Sequence, residues 1–402
     1  MAGFNFKYLV IMVLCVALSP LPVLSEPGKF VPFVSIKQEY SDNILFSTNN
    51  EEEDFITTGT AGLTYSYDSE RVDARINGRI LHRLYKDNDQ LDTTDGNASA
   101  TWNYQYTEKL GFGAFMQYRN DSRRDRDTDT TGLVLSGDRE GAKFSVSSNY
   151  MLSELTRGEI EVSYGLEDID ETLTKEDNDT INISINFSKN LSKTFDNTTG
   201  LLNLSYMHYT SDYEILATNL HRDYTSDVVQ VYAGFSKDIT ELYNFYLQAG
   251  ASYTDTKETT LIGSYTIDDQ DGDNFGGVLL AGLNYDGLYY DAGLSVSHDV
   301  REGSGTNGTV ERSAISLEID RKVSDGFFLT LDTSCYLNEN ERKTSEDLEE
   351  YTINVQPGFR YRFWDTFTLS GVYRYTSVKD KTNDSTSERN LIYFVIKKEF
   401  EL

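Results

Sequence analysis

The sequence predicts an all-β protein, a transmembrane antiparallel up-and-down β-barrel of about eighteen strands. Three observations predict it: apolar and polar residues alternate strictly, the alternating segments run ten to fifteen residues, and aromatic residues gather at segment ends. In RVDARINGRILHRLY (71–85), Val72, Ala74, Ile76, Gly78, Ile80 and Leu84 fall on one face, with Arg71, Asp73, Arg75, Asn77, Arg79 and Arg83 on the other. TINISINFS and YTINVQPGFRYRF repeat the pattern. A soluble sandwich would cover the apolar face with a second sheet. A membrane barrel turns that face to lipid and the polar one to a wet interior, and the long segments suit a tilted crossing.

Met1 to Ser25 comes first along the chain. It carries Lys7, the apolar run YLVIMVLCVAL and a small residue at Ser25, the marks of a cleaved secretory signal, so 26–402 is read as the barrel. Cys15 lies within that leader, which leaves Cys335 as a single thiol without an internal disulfide partner. Strand segments then follow at 30–40, 55–67, 71–85, 96–106, 110–121, 139–151, 157–168, 179–189 and 199–212. They continue at 224–236, 243–257, 273–285, 287–301, 309–322, 326–340, 350–363, 366–379 and 388–402. Reading 128–138 as loop keeps the count even, which places both termini on the periplasmic side of a bacterial outer membrane.

Connections alternate in length. Turns such as YDSE (67–70), TEKL (107–110), VSDG (323–326) and WDT (364–366) take turns with long polar stretches at 41–54, 257–273 and 340–350. Short inside and long outside is the rule for such barrels. No separate plug domain is expected, so loop 121–138, with Arg123, Arg124 and Arg126, is the candidate for folding inward.

The net charge of -29 argues against nucleic-acid binding, because phosphates would be repelled. No stretch beyond the N-terminus is apolar for 18 residues, which excludes a transmembrane helix there. Glu51, Glu52, Glu53 and Asp54 are read as a solvated outer loop, with sharing of divalent cations with lipopolysaccharide phosphates as the alternative. DDQDGDN (268–274) fails as an EF-hand, since Gly272 at the sixth position puts Ile267 at the first and Val278 at the twelfth. No metal site, cofactor or enzymatic activity is expected.

Chemistry concentrates on the inward face. Arg71, Arg75, Arg79 and Arg83 on one strand, with Arg360, Arg362 and Arg374 on two others, form a basic strip once the sheet closes. Four strand steps separate the two groups, about 19 Å of arc at roughly 4.8 Å per step. Glu159, Glu161, Glu318 and Asp320 form the acidic counterpart on the opposite wall. Such a transverse field orients polar or anionic solutes in a wet pore; the competing reading is that the charges pair and fill the interior. The expected role is therefore passive passage of small hydrophilic or anionic solutes. Lumen aromatics Phe115, Tyr232, Tyr246, Tyr289 and Phe328 suit sugar stacking, which supports polysaccharide export as the alternative. His82, His208 and His298 fall on the lipid face as girdle residues. His208 with Thr210 is the one candidate for a lipid hydrolase on the outer wall, and no orienting carboxylate is evident beside it.

The start FVPFVSIKQEYSDNILFS, the stretch DFITTGTAGLTYSYDSERVDARINGRI and turns such as SKDITEL resemble the β-barrel porin type 2 families of Gram-negative outer membranes. The resemblance spans the mature chain. It implies an outer-membrane barrel, some relatives being associated with exopolysaccharide or protein-sorting loci, and it brings no catalytic residues. It also implies that the final strand is read by the outer-membrane barrel assembly machinery. Phe394, Ile396, Phe400 and Leu402 would form that insertion signal, with Leu402 in place of the usual terminal Phe.

Overall fold

The computed structural model describes residues 28–122, 137–170, 173–218, 220–263, 265–303, 308–340, 349–382 and 384–400. The leader expected at 1–25, the loop arginines Arg123, Arg124 and Arg126, and Leu402 lie outside them. Eighteen strands form one sheet that closes on itself. They are β1 (Lys29–Ser41), β2 (Asp54–Asp68), β3 (Val72–Tyr85), β4 (Thr93–Gln105), β5 (Leu110–Asp121) and β6 (Asp138–Ser153). Next come β7 (Thr156–Asp170), β8 (Thr174–Asn190), β9 (Thr198–Ile215), β10 (Leu220–Asp238), β11 (Tyr243–Ile262) and β12 (Tyr265–Asp286). The last six are β13 (Tyr290–Gly303), β14 (Gly308–Ser324), β15 (Phe327–Asn340), β16 (Glu349–Phe363), β17 (Phe367–Asp380) and β18 (Ser385–Glu399). Each strand pairs antiparallel with its neighbours in sequence, and β1 pairs with β18, Phe33 opposite Glu399 through Ser41 opposite Leu391. Closure removes every sheet edge along that seam.

Alternation sets the faces. Along β18, Ile392, Phe394 and Ile396 stand exposed on the outside, at 45%, 53% and 53%, while Leu391 turns inward at 2%. The exposed apolar side chains thus form the outer wall, the reverse of a soluble protein. Along β17, eight steps separate Phe367 from Tyr375, roughly 27 Å of strand, or about 21 Å along the normal at a tilt of ~40°. That height fits a hydrocarbon band. Its lower border carries Tyr361, Phe363, Trp364 and Phe367, with ring centroids 5.4–5.9 Å apart between Phe363 and each of the other three. Trp364 and Asp365 both take left-handed φ, 49° and 40°, in the three-residue turn 364–366 that joins β16 to β17.

Both ends of the described chain lie on the rim that carries the tight turns. At the other rim the expected long loops are only partly loops. The stretch 257–273, expected as a polar loop, continues β11 and β12 as a ribbon in which Thr256 faces Gly272 and Thr259 faces Asp269. Its β-branched alternation lets it extend the ladder, so length at this rim comes from strand as well as loop.

Candidate functional site

The lumen divides at mid-height. On the loop-rim side, inward-facing polar groups are covered: Thr352, Thr376, Asn338 and Ser226 have no exposed area, and Arg312 has 2%. Arg83 forms an ion pair with Asp95, which also accepts hydrogen bonds from Thr93 Oγ1 at 3.3 Å and Ser122 Oγ at 3.0 Å. Arg139 lies 3.2 Å from Glu167, which also stands 2.5 Å from Arg119. Tyr209 donates to Asn178 Oδ1 at 2.7 Å, and Asn178 Nδ2 to Glu176 Oε1 at 2.9 Å. Each of these charged groups has a polar or charged partner, which offsets the cost of burying it.

Two segments complete this seal. Loop 42–53 turns inward: Phe46 is buried at 5% with Arg389 stacked 4.9 Å over its ring, and Asn43 Nδ2 donates to the Ser47 and Glu388 carbonyls at 2.8 and 2.9 Å. Phe46 holds a φ of 56°, costly for a bulky residue and sustained by that burial. Within the acidic stretch read as solvated, Glu51, Glu52 and Glu53 are exposed, but Asp54 is buried at 2%. Its carboxylate accepts from Lys86 N and Asp87 N at 3.2 Å and from Asn88 Nδ2 at 3.0 Å, so it fastens the neighbouring loop.

The second segment is the tip of the β13–β14 hairpin. Strand β12 pairs with β13 only from Leu279 opposite His298 down to Asp286 opposite Asp291. Beyond that point β12 continues with β11 alone, and β13 with β14 alone. The tip reaches into the barrel, where Gln230 Nε2 of β10 donates to the Val300 carbonyl at 2.8 Å and Tyr224 OH meets Thr309 Oγ1 at 2.9 Å. Val228, Val278, Val300 and Val310 are buried there at 1%, 3%, 7% and 0%. The inward element is a piece of the wall, not only a loop.

On the turn-rim side the lumen is open. Arg75, Arg79, Arg360 and Arg362 face it exposed, and Arg360 stacks 5.0 Å over Phe328. Arg71 lies in the turn before β3, and Arg374 is buried at 9% with its Nε donating to Gln356 Oε1 at 2.6 Å. Of the seven arginines expected in the strip, then, Arg83 and Arg374 belong to the sealed half. Two lysines stand between the four that line the open chamber, Arg75, Arg79, Arg360 and Arg362. Lys397 shares a register row with Arg362 through Thr368, and Lys37 stands on β1 across the seam, ion-paired with Glu39. Glu399 lies 2.7 Å from Lys397. The alternation of NLIYFVIKKEFEL marks Lys397 as inward, the signal by which it could have been included.

Glu159 and Glu161 sit on β7, four strands from β3, and Glu318 and Asp320 sit on β14, two strands from β16. The acidic groups flank the basic strip on both sides. Glu159 lines a cavity of about 430 Å³ with Arg157, Asn186, Asn203, Tyr232 and Asp299. Of the lumen aromatics, Tyr232 donates to Gln230 Oε1 at 2.9 Å in the sealed half, and Tyr289 lies in a turn at 60% exposure. His208 Nδ1 stands 2.8 Å from Asp227 Oδ1, an orienting carboxylate that alternation within β9 alone did not reveal. No cluster of metal-ligating side chains occurs among the described residues.

No protein-family model matches the chain, and no curated protein matches it. Solved structures do. The ferric-catecholate import receptor Fiu from E. coli K12, in its closed form, superposes with a TM-score of 0.51 at 8% identity, over 92% of this chain and 81% of that one. The ferric citrate transporter FecA gives 0.50 at 10%, over 89% and 61%, and the copper transporter OprC 0.50 at 9%, over 90% and 63%. This chain thus spans under two thirds of the length of the last two. At these identities the likeness concerns the fold, which is that of outer-membrane β-barrels.

Proposed function

We propose that this chain is an outer-membrane channel for small hydrophilic or anionic solutes, closed at its outer end in the conformation described. Its termini would lie in the periplasm, with the turn-rim chamber opening there. The observation that carries the reading is the exposed cationic lining of that chamber, Arg75, Arg79, Arg360 and Arg362. Fixed cations in a narrow aqueous space raise the local concentration of anions and set their orientation. The sealed half would then act as the gate, since its contacts must part before anything crosses.

Planar-bilayer recording tests this. The wild-type protein should show mostly closed, occasionally open channels that favour anions. Arg75→Glu with Arg79→Glu should shift the preference toward cations without changing how often the channel opens. Absence of any conductance from the folded protein would end the proposal.

A further inference from the structure

Three histidines stand on the outward face near the loop rim, each opposite a polar residue of the next strand. His82 Nδ1 meets one hydroxyl, Thr94 Oγ1, at 2.9 Å, and His208 Nδ1 meets one carboxylate, Asp227, at 2.8 Å. His298 is engaged on both ring nitrogens. Its Nδ1 lies 2.9 Å from Ser313 Oγ and its Nε2 lies 2.9 Å from Glu311 Oε1. Register produces this: Ser313 is directly opposite His298 on β14, and Glu311 is two residues along the same face. A carboxylate accepts the proton of one ring nitrogen, which leaves the other with its lone pair toward the hydroxyl. Nucleophile, base and orienting acid thus stand in one hydrogen-bonded line.

Depth supplies the second observation. Directly below the group, Val296, Ile315 and Cys335 form the apolar wall, with Ile315 53% exposed. Directly above it Glu311 faces the exposed Glu339 of β15 on one side and Val300 on the other, the point from which the hairpin turns inward. Ser313 therefore sits at the border between hydrocarbon and headgroups, the level at which the acyl esters of a bilayer lipid lie. Beside it the wall is notched, because the β12–β13 ladder stops at Leu279 and His298 and the tip of β13 turns inward. On the β12 side of the notch stand Gly276 and Gly277, and space around Gly277 is open.

We infer that Ser313, His298 and Glu311 form a hydrolytic site for acyl esters of outer-leaflet lipids. Ser313 Oγ attacks the ester carbonyl carbon as its proton passes to His298 Nδ1. The ester C–O bond breaks, and the departing alcohol oxygen takes that proton. Water then attacks the acyl-serine and gives a proton to Nδ1; the bond between Ser313 Oγ and the acyl carbon breaks, Oγ takes that proton from Nδ1, and the fatty acid leaves. Glu311 holds the imidazole and balances its transient charge. This step does not require solute passage.

The test uses the whole barrel, folded in detergent and then in vesicles, with heat-dependent gel mobility as the folding control. A fluorophosphonate probe should label the wild-type protein, and peptide mapping should place the label on Ser313. Free fatty acid should appear from phospholipid vesicles, from purified lipopolysaccharide, or from both, which identifies the acyl source. Ser313→Ala and His298→Ala should lower release by about a thousandfold or more, and Glu311→Gln by a smaller factor. Conductance should survive all three, which separates failure of this site from failure of the channel. The inference is overturned if folded wild-type protein takes no label and frees no fatty acid from either lipid, or if the label maps to another residue.

Discussion

On β16, Thr352 has no exposed area, while Arg362, ten residues down the same inward face, stands open to the lumen. On β3, Arg83 is buried at 7% in an ion pair, whereas Arg75 and Arg79 are exposed. Both halves of the lumen are lined by the same alternation of the same strands. They differ in what stands across from each residue. At the loop rim the β13–β14 tip, loop 42–53 and long side chains from facing strands fill the cross-section, so polar groups bond to one another. At the turn rim no described residue crosses, and the same residue types stand exposed. Polarity of a lining, then, does not decide between core and channel; the filling of the cross-section does.

Substitutions break the comparison in graded ways. Phe46→Ala should have the largest effect, about 3 kcal/mol for the lost burial, much of it local to the loop. It should show as a several-fold rise in open probability in bilayer recordings; an unchanged closed fraction would remove loop 42–53 from the gate. Asn338→Leu takes from the buried Arg312 the acceptor that its Nε reaches at 2.8 Å. The expected cost is about 2–3 kcal/mol in unfolding by heat or denaturant. Arg79→Leu in the open chamber serves as its control, within about 0.5 kcal/mol, and an equal cost at both positions would erase the distinction between the halves. Gln230→Ala with Tyr224→Phe frees the β13–β14 tip and should cost about 1 kcal/mol for each contact while lengthening openings. Tyr206→Phe, which loses the 2.5 Å bond to Asp227 on the outer wall, should change stability least, about 0.5–1 kcal/mol, and leave conductance alone.

Much of this was legible in the chain. The eighteen strands and their faces follow from a two-residue period, and boundaries such as Tyr243 for β11 and Phe367 for β17 are marked by aromatics at the turn rim. The identity of inward arginines was legible too. Their states were not: Arg83 and Arg374 read the same as Arg79 and Arg362, because local sequence does not name the group across the lumen. The meeting of His298 with Ser313 and Glu311 was likewise hidden, since the register between β13 and β14 sets it.

By itself, then, the sequence determined strand count, strand faces, an apolar outer wall and a charged interior, because alternation is a local property of each strand. The tertiary structure decided which half of the interior is a core, that a piece of wall between β12 and β13 leaves the ladder to fill it, and which side chains meet across strands. Those outcomes depend on closure and register, which juxtapose residues far apart in the chain by rules that no single segment carries.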